Sequence, residues 1–251
     1  MKRDQLISIL DKYLEAETIP DYGPNGLQVE GREEVENIIT GVTASLELIE
    51  KAVEKNADML LVHHGILWKG QNETVKGSFK RRLQRLLEHN INLCGYHLPL
   101  DRHLEVGNNA ILAKKLGLKK ITGFGDHKGT TIGVTGQFGK EKSISELTDQ
   151  LQKLLNRELM VFKYGQELVK HIGIVSGGGQ QFLQEAVDKN LDVFITGEVS
   201  EYVFHLAKEE QIHFISAGHH ATETFGIYTL GEWISQNHGL NVEFVDVPNP
   251  V

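Results

Sequence analysis

Apolar residues recur along this chain at two spacings, one helical and one typical of short strands. Leu6, Ile9, Leu10, Tyr13 and Leu14 fall three and four apart, which predicts a helix over 2–15. Residues 19–31 carry Pro20, Gly23, Pro24 and Gly26 and read as a loop whose PNGLQV piece enters a short strand. The pattern then predicts strand 38–43, helix 46–55, strand 58–63 and a loop at 65–72. A helix bearing Phe79, Leu83, Leu86 and Leu87 follows, then strand 92–96 and helix 108–116. The rhythm changes over 118–168: a Gly-rich stretch at 123–129, with His127 in a loop, precedes a β-branched strand at 130–135, a helix at 144–155 and a strand at 159–162. It resumes with strand 171–176, a Gly-Gly-Gly turn at 177–179, helix 181–189, strand 192–196, helix 199–209, strand 213–217, a helix to 235 and strand 242–245. Strands that alternate with helices predict an α/β fold. The expected organisation is two α/β halves, 1–117 and 169–251, forming one unit, with an α+β module inserted at 118–168.

The two flanks of the insertion resemble each other. EKAVEKNADMLLVHHG, from Glu50, aligns with QEAVDKNLDVFITGEV, from Gln184. Ala52, Val53, Lys55, Asn56 and Asp58 match Ala186, Val187, Lys189, Asn190 and Asp192 at one constant offset. The following strand repeats a second pattern, His-x-x-x-Asp at His97 and Asp101 and His-x-x-x-Glu at His219 and Glu223. Shared βαβ patterning alone produces some similarity, but identities at one offset favour an internal duplication.

The candidate chemistry sits at strand tips. LLVHHG at 60–65 is an apolar run that ends in His63, His64 and Gly65. The carboxyl ends of strands form the ligand-binding rim of α/β sheets. Neighbouring side chains of a regular strand face opposite ways, so His63 and His64 could not share one ligand there, but Gly65 lets the chain break regularity, and two metals lying side by side could then each take one histidine. Alone, the pair also reads as two structural histidines. Two related halves facing each other would bring His63, His64 and Asp101 against His219 and Glu223, and a divalent metal takes such imidazole nitrogens and carboxylate oxygens. On a helix, residues four apart share a face, so His219 and Glu223 reach one site.

Composition narrows the classes. The 251 residues are 40% hydrophobic and 24% charged, and 26 basic against 34 acidic side chains give a net charge of −8. That balance argues against a general nucleic-acid surface while leaving room for a small anionic substrate held by a metal. Lys76, Lys80, Arg81, Arg82 and Arg85 share one helix, as a solvated face or a phosphate-facing patch. Cys94 is the single cysteine, so there is neither an intrachain disulfide nor a thiolate zinc cage. The first fifteen residues read as an amphipathic helix rather than a signal peptide, and no apolar run approaches the ~20 residues that span a bilayer. A reducing, cytoplasmic setting is expected.

LLVHHG at 60–65, GYHLPLD at 95–101, TGE at 196–198 and GHHATE at 218–223 together resemble the GTP cyclohydrolase 1 type 2 homologue family, the dinuclear-metal family of NGG-interacting-factor-like proteins. The motifs fall in the family's order across nearly the whole chain. The resemblance implies two similar α/β halves with an insertion, a ring-like homohexamer, and two divalent metal ions per chain in a cleft between the halves. It implies His63, His64, Asp101, His219 and Glu223 as ligands, with Glu223 bridging. His97 then lies beside the ligand set and His220 turns away from it.

On this reading the chain is a metal-dependent hydrolase acting on a nucleotide-like or heterocyclic small molecule, with His97 or Glu198 as the proton shuttle. Glu198 has an alternative role as a carboxylate at a helix N-terminus. The glycines at 177–179 either bind phosphate through backbone amides or simply make a tight turn. Ligation by nitrogen and oxygen suits zinc, iron, manganese or nickel. The competing reading is a metal-loaded scaffold or regulator that binds a protein partner through the inserted module and catalyses nothing.

Overall fold

A computed structural model describes every residue except Glu73. In chain order it contains α1 (Arg3–Tyr13), β1 (Gly26–Val29), β2 (Asn37–Thr43), α2 (Leu46–Glu54), β3 (Met59–His64), α3 (Gly77–Glu88), β4 (Asn92–Gly95), α4 (Leu98–Arg102) and α5 (Asn108–Leu116). There follow β5 (Lys119–His127), β6 (Thr130–Ser143), α6 (Ile144–Leu155), β7 (Met160–Phe162), β8 (Leu168–Val175) and α7 (Leu183–Asp188). The chain closes with β9 (Val193–Thr196), α8 (Glu201–Glu209), β10 (His213–Ser216), α9 (His219–His238) and β11 (Asn241–Phe244). The mixed α/β class expected from the sequence is the one observed. The chain divides into two units, one of residues 1–100 and 226–248, the other of residues 101–225 and 249–251.

The first unit holds a five-stranded sheet in the order β1-β4-β3-β2-β11. The pairings β11–β2, β2–β3 and β3–β4 are parallel, and β1 joins β4 antiparallel. Residues 59–63 of β3 are all buried, which is why the sequence there is a continuous apolar run rather than an alternating one. Leu60 and Val62 pack with Leu48, Ile49 and Ala52 of α2, Leu86 of α3 and Leu93 of β4. Ser45 caps α2, its hydroxyl accepting from Leu48 N at 3.1 Å. Among the basic residues of α3, Arg85 is ion-paired, its guanidinium gripping Glu50 at 2.8 Å and Glu88 at 3.3 Å.

The second unit holds a six-stranded sheet in the order β5-β6-β8-β9-β10-β7, with β8, β9 and β10 parallel. Residues 118–168, expected as an inserted module, supply β5, β6, α6 and β7, and their strands lie in this same sheet. Here the sequence reading needs one local correction. His127 is the last residue of β5 and not a loop residue, because β5 pairs with β6 through a hairpin that carries the pairing to His127 and Thr130. A capping box of Ser143 and Glu146 starts α6. The core gathers Val134, Phe138, Leu147, Leu151, Ile172, Ile174, Val193, Ile195 and Ile215.

The flanks aligned in the sequence behave alike within their own units. Asn56 and Asn190 both take the left-handed conformation, at φ 52° and 53°. Asp58 accepts the amides of Glu36 and Asn37 at 3.0 and 2.9 Å, and Asp192 accepts those of Lys170 and His171, each at 2.7 Å. The strand registers match as well, Ile38 against Met59 in one sheet and Ile172 against Val193 in the other. Asp58 thus anchors the start of β2, and Asp192 holds β8 just before its parallel pairing with β9 begins.

Leu60 is fully buried in β3, so Leu60→Ala is expected to lower the unfolding free energy by about 2–5 kcal/mol. Urea titration against Arg81→Ala, an exposed change expected to stay within about 0.5 kcal/mol, checks this.

Candidate functional site

In the first unit, β3 and the end of β4 deliver three imidazoles to one place. Ligand-type atoms of His63, His64 and His97 all lie within 4.8 Å of one another. The rings of His63 and His64 sit 4.6 Å apart between centroids, tilted by 40°. These neighbours on a strand therefore converge, against the alternation that a regular strand would impose. Gly65 contributes differently from the expectation. A Cβ on it would overlap the side chain of Gln28, whose Oε1 accepts the amides of Ile66 at 2.8 Å and Leu67 at 3.3 Å. Gly65 therefore makes room for the side chain that ties the loop behind the histidines to β1.

Each imidazole is held through Nδ1. His63, fully buried, donates Nδ1–H to the carbonyl of Tyr96 at 2.9 Å. His64 Nδ1 hydrogen-bonds the Thr43 hydroxyl at 3.0 Å. His97 Nδ1 meets Asp21 Oδ1 at 2.7 Å. Burial would raise the pKa of Asp21, but His97, Asn25 and the Tyr22 amide outweigh it and hold the carboxyl at about 2, below its ordinary 3.8. Trp68 approaches His97 edge-to-face at 5.3 Å.

In the second unit, Asp101 is buried and tightly held. Its Oδ1 accepts from Asn108 Nδ2 at 2.9 Å and from the Ser176 hydroxyl at 3.0 Å. Asn109 braces the same place, donating to the Asp101 carbonyl at 3.1 Å and accepting the Ser176 amide at 2.7 Å. His219 opens α9 and faces Glu223 one turn on, with Nε2 3.2 Å from Glu223 Oε2. Its Nδ1 is 2.6 Å from Glu198 Oε1. Burial lowers the pKa of His219, but Glu223 and then Glu198 outweigh it and raise the ring to about 9. Glu198 thus has a partner in the imidazole of His219, which the helix-dipole reading did not require.

The glycine turn after β8 also has a defined task. Gly177 has φ +63°, and a Cβ on it would overlap Glu223 Oε1. Its amide donates to Thr222 Oγ1 at 3.0 Å, and the Gly179 amide donates to Thr196 Oγ1 at 2.9 Å. Both amides are engaged inside the protein, so the tight-turn reading of 177–179 accounts for them. His220 belongs to none of the ligand-type clusters among the described residues, and its amide donates to the Val251 carbonyl at 2.9 Å.

Of the residues singled out in the sequence, the structure brings His63, His64 and His97 together in the first unit, and sets His219 beside Glu198 and Glu223 in the second, where Asp101 is buried. The sequence reading missed Asp21, Thr43, Asn108, Asn109 and Ser176. The one signal that pointed to Asp21 was the turn-rich PDYGPNG stretch, which carries no ligand spacing of its own.

Fold and side chains define an α/β protein with histidine and carboxylate clusters suited to divalent metal ions at the carboxyl ends of parallel strands. A family model described as Duf34/NIF3 (NGG1p interacting factor 3) matches residues 1–250, and the chain belongs to this family. It is 45% identical over 253 residues to a Vibrio cholerae protein named GTP cyclohydrolase 1 type 2 homolog, covering 100% of both chains. The protein of that name from Escherichia coli is 45% identical over 251 residues, again covering 100% of both. Among solved structures, the protein ybgI, described as of unknown function, matches with a TM-score of 0.96 at 43% identity, with all of both chains covered. The Thermus thermophilus protein TTHA1606 matches with a TM-score of 0.91 at 38% identity over the same full coverage. Among the described residues, no helix is long and apolar enough to cross a membrane.

Two outcomes follow. Gly177→Ala is expected to displace the Glu223 carboxylate, visible as a shift of that side chain in a crystal structure of the variant, while the sheet stays unchanged. Asp21, held at about 2 when folded against 3.8 ordinarily, contributes roughly 2 kcal/mol of stability above its unfolded pKa. That contribution is lost as pH falls from about 4 to about 2, so the stability difference between wild type and Asp21→Asn in urea should shrink across that window.

Proposed function

We propose that His63, His64, Asp101, His219 and Glu223 ligate two divalent metal ions per chain, with Glu223 bridging, and that the protein is a metal-dependent hydrolase of a nucleotide-like or heterocyclic small molecule. The observation that carries the metal reading is the Nδ1 anchoring. His63, His64 and His219 each commit Nδ1 to a protein group, the arrangement that orients metal-binding histidines and assigns Nε2 to the ion. Asp101, with Oδ1 taken by Asn108 and Ser176, is set to offer its other oxygen. The donor set is imidazole and carboxylate without sulfur, which fits zinc, iron, manganese or nickel. The names of the relatives support a nucleotide-related substrate, and the family resemblance supports a ring-like homohexamer.

Divalent ions held by these residues supply Lewis-acid activation of water and substrate. The chain's own residues orient and move protons. Glu198 keeps the His219 ring in place. His97, backed by Asp21, has an imidazole beside His63 and His64 that takes up a proton. Glu198, half-exposed, exchanges one with solvent.

The test is elemental analysis of protein purified without chelator, wild type against Glu223→Ala, followed by hydrolysis assays on nucleotides with each metal restored. Near two ions per chain, falling by at least half in Glu223→Ala, with turnover in one metal form, is expected. Metal without turnover of any nucleotide or heterocycle would favour the scaffold reading. No metal, even after reloading, would overturn both.

A further inference from the structure

Asp21 lies 76 positions before His97 in the chain, in a loop with no ligand-type motif. Its side chain is only 3% exposed. Four donors converge on the carboxylate. Oδ1 takes the Tyr22 amide at 2.6 Å and His97 Nδ1 at 2.7 Å, and Oδ2 takes Asn25 Nδ2 at 3.0 Å and the Leu98 amide at 2.9 Å. Asn25 also accepts the His97 amide at 2.9 Å, so the loop grips this histidine by backbone and ring together. The loop is itself pinned, since Lys69 donates its amide to the Tyr22 carbonyl at 2.7 Å and Nζ to the Asp21 carbonyl at 2.6 Å. An ionised carboxylate only accepts, so the nitrogen facing it must carry the hydrogen. The His97 ring lies 5.1 Å from that of His63 and 5.6 Å from that of His64.

We propose that Asp21 is a positioning residue that fixes His97 as its Nδ1–H tautomer and so makes Nε2 the proton-accepting nitrogen beside the His63–His64 pair. The part of this concerning proton uptake rests on the hydrolase reading; the tautomer does not. When Nε2 takes a proton, the ring becomes an imidazolium whose Nδ1–H is already paired with the Asp21 carboxylate, and the charge forms opposite a fixed counter-charge. The ring gives the proton back from Nε2, and no bond to Asp21 breaks. The logic is that of a histidine base oriented by a buried carboxylate.

The test has two independent arms. Neutron diffraction from deuterium-exchanged crystals of the full chain at pH 8 is expected to show His97 deuterated on Nδ1 and bare on Nε2. In Asp21→Ala the restraint is gone and deuterium is expected on Nε2. Deuterium on Nε2 in wild type, on both nitrogens, or unchanged on Nδ1 in Asp21→Ala would overturn the proposal, and the wild-type result stands whether or not the variant folds. In the second arm, metal content is measured beside turnover. Asp21→Ala and His97→Gln are each expected to lower turnover about 10²–10⁴-fold with metal content kept, and the double variant no further. Additive losses, or full turnover in Asp21→Ala, would overturn the proposal. If no substrate turns over in wild type, the hydrolase reading and the role of Nε2 as a base fall together, and the neutron arm alone decides whether Asp21 fixes the tautomer.

Discussion

A neutral imidazole has one nitrogen that donates and one that accepts, and in this chain partners that only accept, a carbonyl and two carboxylates, place a hydrogen on Nδ1 of His63, His97 and His219. The Tyr96 carbonyl, the Thr43 hydroxyl, the Asp21 carboxylate and the Glu198 carboxylate each engage an Nδ1. Much of the architecture serves those four contacts. The Tyr96 carbonyl is in place because Tyr96 N donates to the Val62 carbonyl at 3.0 Å, continuing the parallel pairing of β4 with β3. Thr43 faces His64 because β2 and β3 hold that register, Thr43 against His64. Glu198 is placed by its amide, which donates to the Gly177 carbonyl at 3.1 Å. The orientation of His63 and His64 is therefore a property of strand register, held by the buried apolar runs and by Asp58 at the start of β2.

The carboxylates are constrained as closely as the rings. Asp101 is fixed by Asn108, Asn109 and Ser176, all buried. Glu223 is packed against a glycine turn that has no room for a Cβ. Such over-determination is what a metal centre needs, because ligands that must reorganise on binding lose affinity. It also accounts for the polar residues retained in otherwise apolar surroundings, where an unsatisfied group would be costly.

What the sequence made legible was local. The apolar run ending in two histidines, the His-x-x-x-carboxylate spacings and the turn glycines all declare themselves within a few residues, and strand or helix periodicity converts them into placement. The outer partners were not legible, because they arrive from afar. Asp21 reaches His97 across 76 positions, and Ser176 reaches Asp101 across 75. Tyr96 acts through a backbone carbonyl, which has no side-chain signature at all. The convergence of His63 and His64 also escaped strand periodicity, since alternation describes a regular strand and these residues stand at its end. His127 was misplaced for a related reason: glycines in the 123–129 stretch suggested a loop, while pairing along β6 made a strand of it.

The central claim is that these histidines present Nε2 to metal ions because Nδ1 is already engaged. Anomalous diffraction from crystals of the metal-loaded protein tests it most directly. The account predicts two anomalous peaks per chain, bonded to Nε2 of His63, His64 and His219, with the Glu223 carboxylate between them. Peaks bonded to Nδ1, or metal bound only away from these residues, would contradict it.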